Sequence, residues 1–201
     1  MTIIGLTGPT GSGKSSCSAY LSSVGIPTID ADRIYHDLIA SPSPCTAEIA
    51  KEFGKSVLDA CGGIDRKALA AIVFSDLSKR KTDTLNRITH KYVLQETVRL
   101  LSLYDEQEKT AVVVDAPLLF EAEFDRLCDF CISVLAEKEI RKARILIRDD
   151  LTSEQADARL NAQKSDEYYA MRSDYIIKND SDIQNMQGQL KEILIKEGVL
   201  A

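Results

Sequence analysis

The 201-residue chain lacks a surplus of cations: 25 Lys and Arg stand against 31 Asp and Glu, for a formal net charge of −6. Neutralising a nucleic-acid backbone takes such a surplus, so nucleic acid is excluded as the main partner; one small anionic ligand held by a local cluster of donors is not. No stretch approaches the ~18 consecutive apolar residues of a membrane span, which argues against a membrane partner. Met1-Thr2-Ile3-Ile4-Gly5-Leu6 has no basic region, and Gly8-Pro9 cuts the apolar run short, so no secretory signal is read. Repeats, low-complexity tracts and long linkers are absent too. What remains, 44% hydrophobic and 28% charged residues, is ordinary globular usage and excludes disorder as the main state. The length favours one domain with room for an insertion.

Histidine and paired cysteine are also scarce. Cys17, Cys45, Cys61, Cys128 and Cys131 are an odd number, and without an export signal they read as reduced thiols of a cytoplasmic chain. Cys128-Asp129-Phe130-Cys131 has C-x-x-C spacing, but zinc needs a second pair or two suitably spaced histidines, and His36 and His90 lie far off. A redox motif would open a helix, whereas this one runs into the strand-like Ile132-Ser133-Val134-Leu135, so two half-buried thiols are expected. His36 and His90 fall in helical patterns and read as packing or hydrogen-bonding residues.

The patterning alternates strands and helices. Strands are expected at Thr2 to Thr7, Ile26 to Asp30, Thr110 to Asp115, Phe130 to Ala136 and Tyr175 to Lys178. Helices are expected at Lys14 to Val24 with Gly25 ending it, Glu137 to Asp150, Thr152 to Gln163 behind a capping box, and Asp182 to Lys196. From Ala31 to Glu106 helical patterns dominate, broken at Ser41-Pro42-Ser43-Pro44 and Gly62-Gly63. Within it Leu85, Ile88 and Tyr92, then Leu94, Val98 and Leu101, recur at helical spacing and should face a core. Short buried strands separated by helices predict an α/β fold with a five-stranded parallel sheet and an inserted helical region.

The most specific feature is Gly8-Pro9-Thr10-Gly11-Ser12-Gly13-Lys14-Ser15, a full G-x-x-x-x-G-K-[ST] motif placed after an apolar strand and before a helix. Glycines let the backbone wrap an anion, and the N–H groups of the loop and helix N-terminus supply partial positive charge. Lys14 would reach the β- and γ-phosphates of a nucleoside triphosphate, and the Ser15 hydroxyl would coordinate Mg²⁺. No guanine-reading N-K-x-D follows a strand, since Ile177-Lys178-Asn179-Asp180 does not fit, so a GTPase is not indicated. Small size and a helical insertion suggest a phosphate-loop kinase acting on a small molecule.

Three further groups fit that chemistry. Asp30-Ala31-Asp32 ends the second strand, at the sheet edge where ligands bind; one acid can cap the next helix while the other orients an acceptor hydroxyl and takes its proton. Asp115, ending its strand, resembles a Walker-B carboxylate that orients Mg²⁺ through water. Arg141, Arg144 and Arg148, at i, i+3 and i+7, form one helical stripe that can bring cations over a transferring phosphoryl group, with Arg159 and Gln163 in the same closing segment.

In this order the residues resemble the dephospho-coenzyme A kinase family. The likeness runs through Gly5-Leu6-Thr7-Gly8, Gly11 to Ser15, Gly25-Ile26, Ile29 to Asp32, Phe53-Gly54, Ile64 to Leu69, Pro117-Leu118-Leu119-Phe120-Glu121, Arg148-Asp149 and Ala162-Gln163. It implies transfer of the γ-phosphoryl of ATP, with Mg²⁺, to the ribose 3′-hydroxyl of dephospho-coenzyme A. It implies a nucleotide-binding core (about 1–30, 108–140 and 172–201), a helical substrate region (about 31–107) and a lid (about 141–171). Gly11, Ser12, Gly13, Lys14, Ser15 and Ser16 would hold ATP with Arg144 and Arg148. Lys14, Asp32 and Arg144 would be catalytic, and Asp32, Arg66, Pro117, Leu118 and Leu119 would bind the acceptor. A cytoplasmic monomer or small homo-oligomer is expected. Two departures stand out: Pro9-Thr10 replaces Gly-Ile, removing one N–H donor, and His90-Lys91 replaces His-Pro, so unbroken helix is expected there. A nucleoside or nucleotide kinase, or a nucleotide-dependent switch, would share the same phosphate loop.

Overall fold

The computed structural model describes residues 1–76 and 78–200. The chain divides into two compact units, Met1–Ile29 with Tyr104–Ala201, and Asp30–Leu103. The first unit is built on a five-stranded parallel sheet in the order β2-β3-β1-β4-β5, with β1 Thr2–Thr7, β2 Thr28–Asp30, β3 Ala111–Asp115, β4 Phe130–Leu135 and β5 Tyr175–Lys178. Every residue of β3 and β4 is buried, which is why these strands read as continuous apolar runs. β1 lies between β3 and β4, and its register pairs Leu6 with Asp115 and Thr7 with Ser133. The carboxyl ends of three strands therefore meet where the chain leaves β1, at the reversal of strand order that forms a crevice in open α/β sheets.

Helix α1, Lys14–Ser23, closes as the sequence predicts. Val24 caps it, Gly25 takes a left-handed φ of 87°, and the Ile26 and Gly25 amides donate to the carbonyls of Leu21 and Ser22. Strand β2 starts two residues later than expected, at Thr28; Pro27 has no N–H for a ladder, although its carbonyl accepts from Val113. Cys17 and Leu21 of α1, with Met186, Leu190 and Leu194 of a C-terminal helix (Ile183–Lys196), bury against Ile4, Ile132 and Ile177.

The second unit is helical. Helix α2, Ala31–Ile39, is capped by the Asp30 carboxylate on the Arg33 amide; α3, Pro44–Phe53, opens with a Ser43–Thr46 capping box and Pro44 in its first turn; α4, Arg66–Phe74, is capped by Asp65. Ser41-Pro42-Ser43-Pro44 thus starts a helix as well as interrupting one. Helix α5, Arg80–Glu106, runs without a break through His90-Lys91, and Glu48 of α3 accepts from Lys91 Nζ at 2.5 Å and Tyr92 Oη at 2.6 Å. Ile39, Cys45, Ile49, Val57, Leu69 and Ile88 form the core of this unit. The inward stripe of α5 differs from expectation after Tyr92: Val93, Thr97 and Leu101 are buried while Val98 is exposed. Polar Thr97 sits on the stripe where an apolar count passes over it.

Back in the first unit, α6 (Lys138–Asp149) packs on α7 (Ser153–Asn161) through Ile145, Ala156 and Leu160, and α7 opens with the Thr152–Gln155 capping box. Two short elements escaped the pattern reading: a single 3₁₀ turn at Phe124–Leu127 and α8, Asp166–Ala170, too short for a helical period to show. The C-terminal helix is then α9, Ile183–Lys196. Among the described residues no helix is long and apolar enough to cross a membrane.

Leu190 has no exposed surface in the α1–α9 layer. Replacing it with Ala should cost about 2–5 kcal/mol, by lost transfer energy plus the cavity left behind. Urea unfolding followed by circular dichroism measures this, and a loss under about 1 kcal/mol would mean the layer collapses around the gap.

Candidate active site

The phosphate loop joins β1 to α1. Gly13, at the N-cap of α1, has a left-handed φ of 96° and no side chain to cap the helix. A Cβ there would stand 2.0 Å from Asn179 Nδ2, so glycine is required both by conformation and by the approach of that amide. Asn179, 6% exposed beyond the end of β5, donates Nδ2 to the Ser12 carbonyl at 2.7 Å. Arg144 of α6 donates Nη1 to the carbonyls of Gly11 (3.2 Å) and Ser12 (3.3 Å) and Nη2 to that of Asn179 (3.0 Å).

This clamp sets the electrostatics of the loop. In a trans peptide the C=O and the following N–H point in opposite directions. Holding the Ser12 carbonyl towards Arg144 and Asn179 turns the Gly13 N–H the other way. The amides of Lys14 and Ser15, in the first turn of α1, have no intrahelical acceptor and add to the positive end of the helix. At the loop's entry two donors are already used. Pro9 has none, its carbonyl accepts from Ser12 at 3.2 Å, and the Thr10 amide donates to Gln163 Oε1 at 3.0 Å. The Thr10 and Ser12 amides are therefore taken, and the donors left for a phosphate include those from Gly13 onward.

Lys14 Nζ pairs with Asp115, and Ser18 Oγ donates to the other carboxylate oxygen. The side chains of Lys14 and Asp115 are 18% and 8% exposed, so the pair is largely out of water. Leaving one member alone there would cost about 3–5 kcal/mol. Burial pushes the neighbouring Cys17 thiol up to about 12, the Asp115 charge raising it further and Lys14 opposing. Ser18 was not foreseen, although it stands one helical turn beyond Lys14 on the same face. Ser15 is exposed and Ser16 half-buried in the first turn of α1. A hydroxyl at Ser15, a carboxylate at Asp115 and the phosphate oxygens of a nucleotide form the hard oxygen donor set that suits Mg²⁺, an ion that keeps several of its waters.

Of the arginine stripe, Arg144 is spent on the loop carbonyls. Arg148, exposed, forks onto Asp149 with Nε at 2.7 Å and Nη2 at 2.8 Å, and Nη2 also reaches Thr10 Oγ1 at 3.4 Å. Asp149 takes a further bond from Arg159 Nη1 at 2.6 Å; the Arg148 bonds above all, then the Arg159 charge, hold its carboxyl below the usual range. Gln163 and Arg148 thus bring the α6–α7 segment onto Thr10. Arg141 is buried and makes none of these contacts.

The acceptor-side candidates fall in both units. Asp32 is exposed in the first turn of α2, and Asp30 caps that helix. Arg66 is the exposed first residue of α4. Pro117 accepts from Thr7 Oγ1 through its carbonyl at 3.2 Å, and Leu118 is exposed. Leu119, unlike Leu118, has no exposed surface and packs where a Cβ on Gly5 would meet it at 2.9 Å, so it contributes to the core. The cysteines are free thiols, with Cys131 buried and Cys128 half-buried. The Cys131 thiol and burial raise Cys128, and no cluster of metal-ligating side chains occurs among the described residues.

Comparison with known proteins gives one family. Residues 2–185 match the model described as CoaE, dephospho-CoA kinase. A dephospho-CoA kinase of Symbiobacterium thermophilum is 40% identical over 191 residues, covering 95% of this chain and 79% of that protein. One of Bacillus cereus is 35% identical, covering 98% of both chains. The solved dephospho-CoA kinase from Campylobacter jejuni superposes with a TM-score of 0.72 at 28% identity, covering 98% of both.

Two outcomes follow from this geometry. Asn179→Ala should raise the dissociation constant for ATP about tenfold, the ~1.4 kcal/mol of one hydrogen bond that fixes the Gly13 amide; titration calorimetry checks it, and unchanged affinity would mean Arg144 alone holds the loop. With a disulfide reagent at pH 8, exposed Cys61 should react first and buried Cys17 far more slowly. A thiol raised to about 12 holds roughly one part in 10⁴ as thiolate at that pH.

Proposed function

The chain belongs to the dephospho-CoA kinase family, and from that premise we propose how its residues share out the work of the reaction. The activity itself is ATP-dependent phosphorylation of dephospho-CoA in coenzyme A biosynthesis. The acceptor atom we assign is the ribose 3′-hydroxyl, with in-line transfer of the γ-phosphoryl group and no covalent enzyme intermediate.

The observation that carries the assignment is the Lys14–Asp115 pair beneath the clamped loop. The phosphates of ATP enter at the amides of Gly13, Lys14 and Ser15. Lys14 then exchanges Asp115 for the β- and γ-oxygens, in the same largely dry place, where charge attraction is strongest. Mg²⁺, when bound, supplies positive charge across the β- and γ-phosphates; the Ser15 hydroxyl and Asp115, acting through water, are the residues that would hold it. Gly11, Ser12 and Ser16 complete the loop's backbone and first helical turn. Arg144 acts through the loop it shapes, and Arg148, released from Asp149, faces the transferring group with the lid of residues 141–171.

Asp32 accepts the proton of the acceptor hydroxyl. Its neighbour Asp30 is committed to the α2 cap. Such a base is worth ~10²–10⁴ in rate, about 3–5 kcal/mol. Arg66 binds the acceptor's anionic part, and Pro117 and Leu118 give apolar contact. The helical residues 31–107 are the substrate region, and 1–30, 108–140 and 172–201 the nucleotide-binding core. Free cysteines support a cytoplasmic setting, and we assign a monomer or small homo-oligomer working without nucleic acid or membrane.

Purified protein with ATP and Mg²⁺ should yield 3′-phosphorylated product from dephospho-CoA and little from nucleosides or nucleoside monophosphates. Phosphate release without a phosphorylated acceptor would sink the kinase assignment. Asp32→Asn should keep ATP affinity within twofold and lose at least 100-fold in kcat. Unchanged kcat moves the base elsewhere.

A further inference from the structure

Arg141 is the member of the stripe that the reaction described above leaves unused. It lies in the first turn of α6 and is 7% exposed. Among the described residues neither Nε nor Nη1 has a hydrogen-bond partner, and Asp166 Oδ1, paired with it by charge, stands 3.7 Å from Nη2 and is itself without a hydrogen bond. A charge-assisted guanidinium–carboxylate bond closes to about 2.7–2.9 Å. The protein has therefore buried a permanent cation and stopped short of satisfying it, an arrangement that disfavours the ligand-free state.

Its position gives this meaning. The backbone of Arg141 lies directly on the phosphate loop: a Cβ on Gly11, whose φ is 77°, would stand 2.7 Å from the Arg141 carbonyl oxygen and 3.0 Å from its Cα. On the other side the guanidinium looks towards α8. Tyr169 there is 4% exposed, and its hydroxyl is pushed up to about 12 by burial first and then by the charge of Glu121, with Arg141 opposing. Arg141 is thus a desolvated cation between the loop and α8, with Nε and Nη1, on different edges of the guanidinium, both without a partner. Its two stripe-mates already hold the loop carbonyls and Asp149.

We infer that Arg141 is an oxyanion-binding residue of this enzyme, its unpartnered Nε or Nη1 donating to an oxygen of a substrate phosphate group. A guanidinium makes strong charge-assisted bonds to phosphate oxygens, and a site out of water strengthens them. Two substrates carry that chemistry, the triphosphate of ATP and the diphosphate of dephospho-CoA. The inference rests on the kinase assignment, so wild-type turnover of dephospho-CoA is the control that separates a failure of one from a failure of the other.

The test compares wild type, Arg141→Gln and Arg141→Lys by titration calorimetry with ATP alone and dephospho-CoA alone, alongside steady-state KM and the melting temperature of the ligand-free protein. Arg141→Gln should bind one of the two substrates at least tenfold more weakly and leave the other within twofold. The weakened substrate identifies the phosphate. Its ligand-free melting temperature should hold or rise, because an unpaired buried charge has been removed, and Arg141→Lys should recover part of the affinity. Affinities within twofold for both substrates overturn the inference, as does a uniform loss on both with a lowered melting temperature, the mark of a structural cation. Should Arg141→Gln not fold, Arg141→Lys decides: at least threefold weaker binding of one substrate supports the inference, and none overturns it.

Discussion

Everything at the candidate active site depends on which way one peptide group faces. The Ser12 carbonyl receives both Asn179 and Arg144, and its plane fixes the Gly13 amide on the opposite side. A phosphate loop with free carbonyls would present oxygen as readily as N–H to an anion, and the helix dipole would be offset by its own entrance. Tying the carbonyls of Gly11 and Ser12 outward removes that alternative before a ligand arrives. Preorganisation of this kind strengthens binding without any new contact to the ligand, because the ordering is done in folding.

The clamp explains the fold's demands in turn. Asn179 is in place because its amide donates to the Leu135 carbonyl at 2.8 Å, continuing the β4–β5 ladder past the end of β5. Arg144 is in place because Ile145 beside it is fully buried against α7. Gly13 must be glycine because any side chain would occupy the space of the Asn179 amide. The loop motif is local in sequence, but its conformation is held by residues more than a hundred positions away, just past β5 and on α6.

That distance marks the limit of what the sequence made legible. The five strands, the Gly25 stop, the Thr152 capping box and the unbroken helix through Lys91 each follow from local chemistry and read correctly. The Gly8–Ser15 motif was legible for the same reason: its residue types serve one short stretch of backbone. Asn179, Ser18 and Gln163's bond to Thr10 were not read, because a lone polar residue carries no period and its partner lies across the sheet or a helical turn away. The burial of Leu119 was not legible for the converse reason. Within an apolar triplet, sequence cannot tell the residue that faces solvent, Leu118, from the one that fills the space beside Gly5. Val98 fell outside the core because α5 turns its inward face through Val93 and Thr97, and threonine is silent in an apolar count.

The acidic balance of the chain acquires a local meaning at the same place. Three cations near the loop have anionic or carbonyl partners inside the protein: Lys14 with Asp115, Arg148 with Asp149, and Arg144 with the loop itself. A cation held this way is not open to any passing anion. Inorganic phosphate would have to displace a carboxylate that is already desolvated and hydrogen-bonded by Ser18, with too few oxygens to replace all that Lys14 gives up. Under the proposed function, a triphosphate would bring several oxygens at once and engage the amides of α1 together with Lys14, which favours the exchange for a ligand of that charge and length. The surplus of acid that argued against nucleic acid in the sequence therefore includes, at Asp115 and Asp149, groups that pair with cations near the loop.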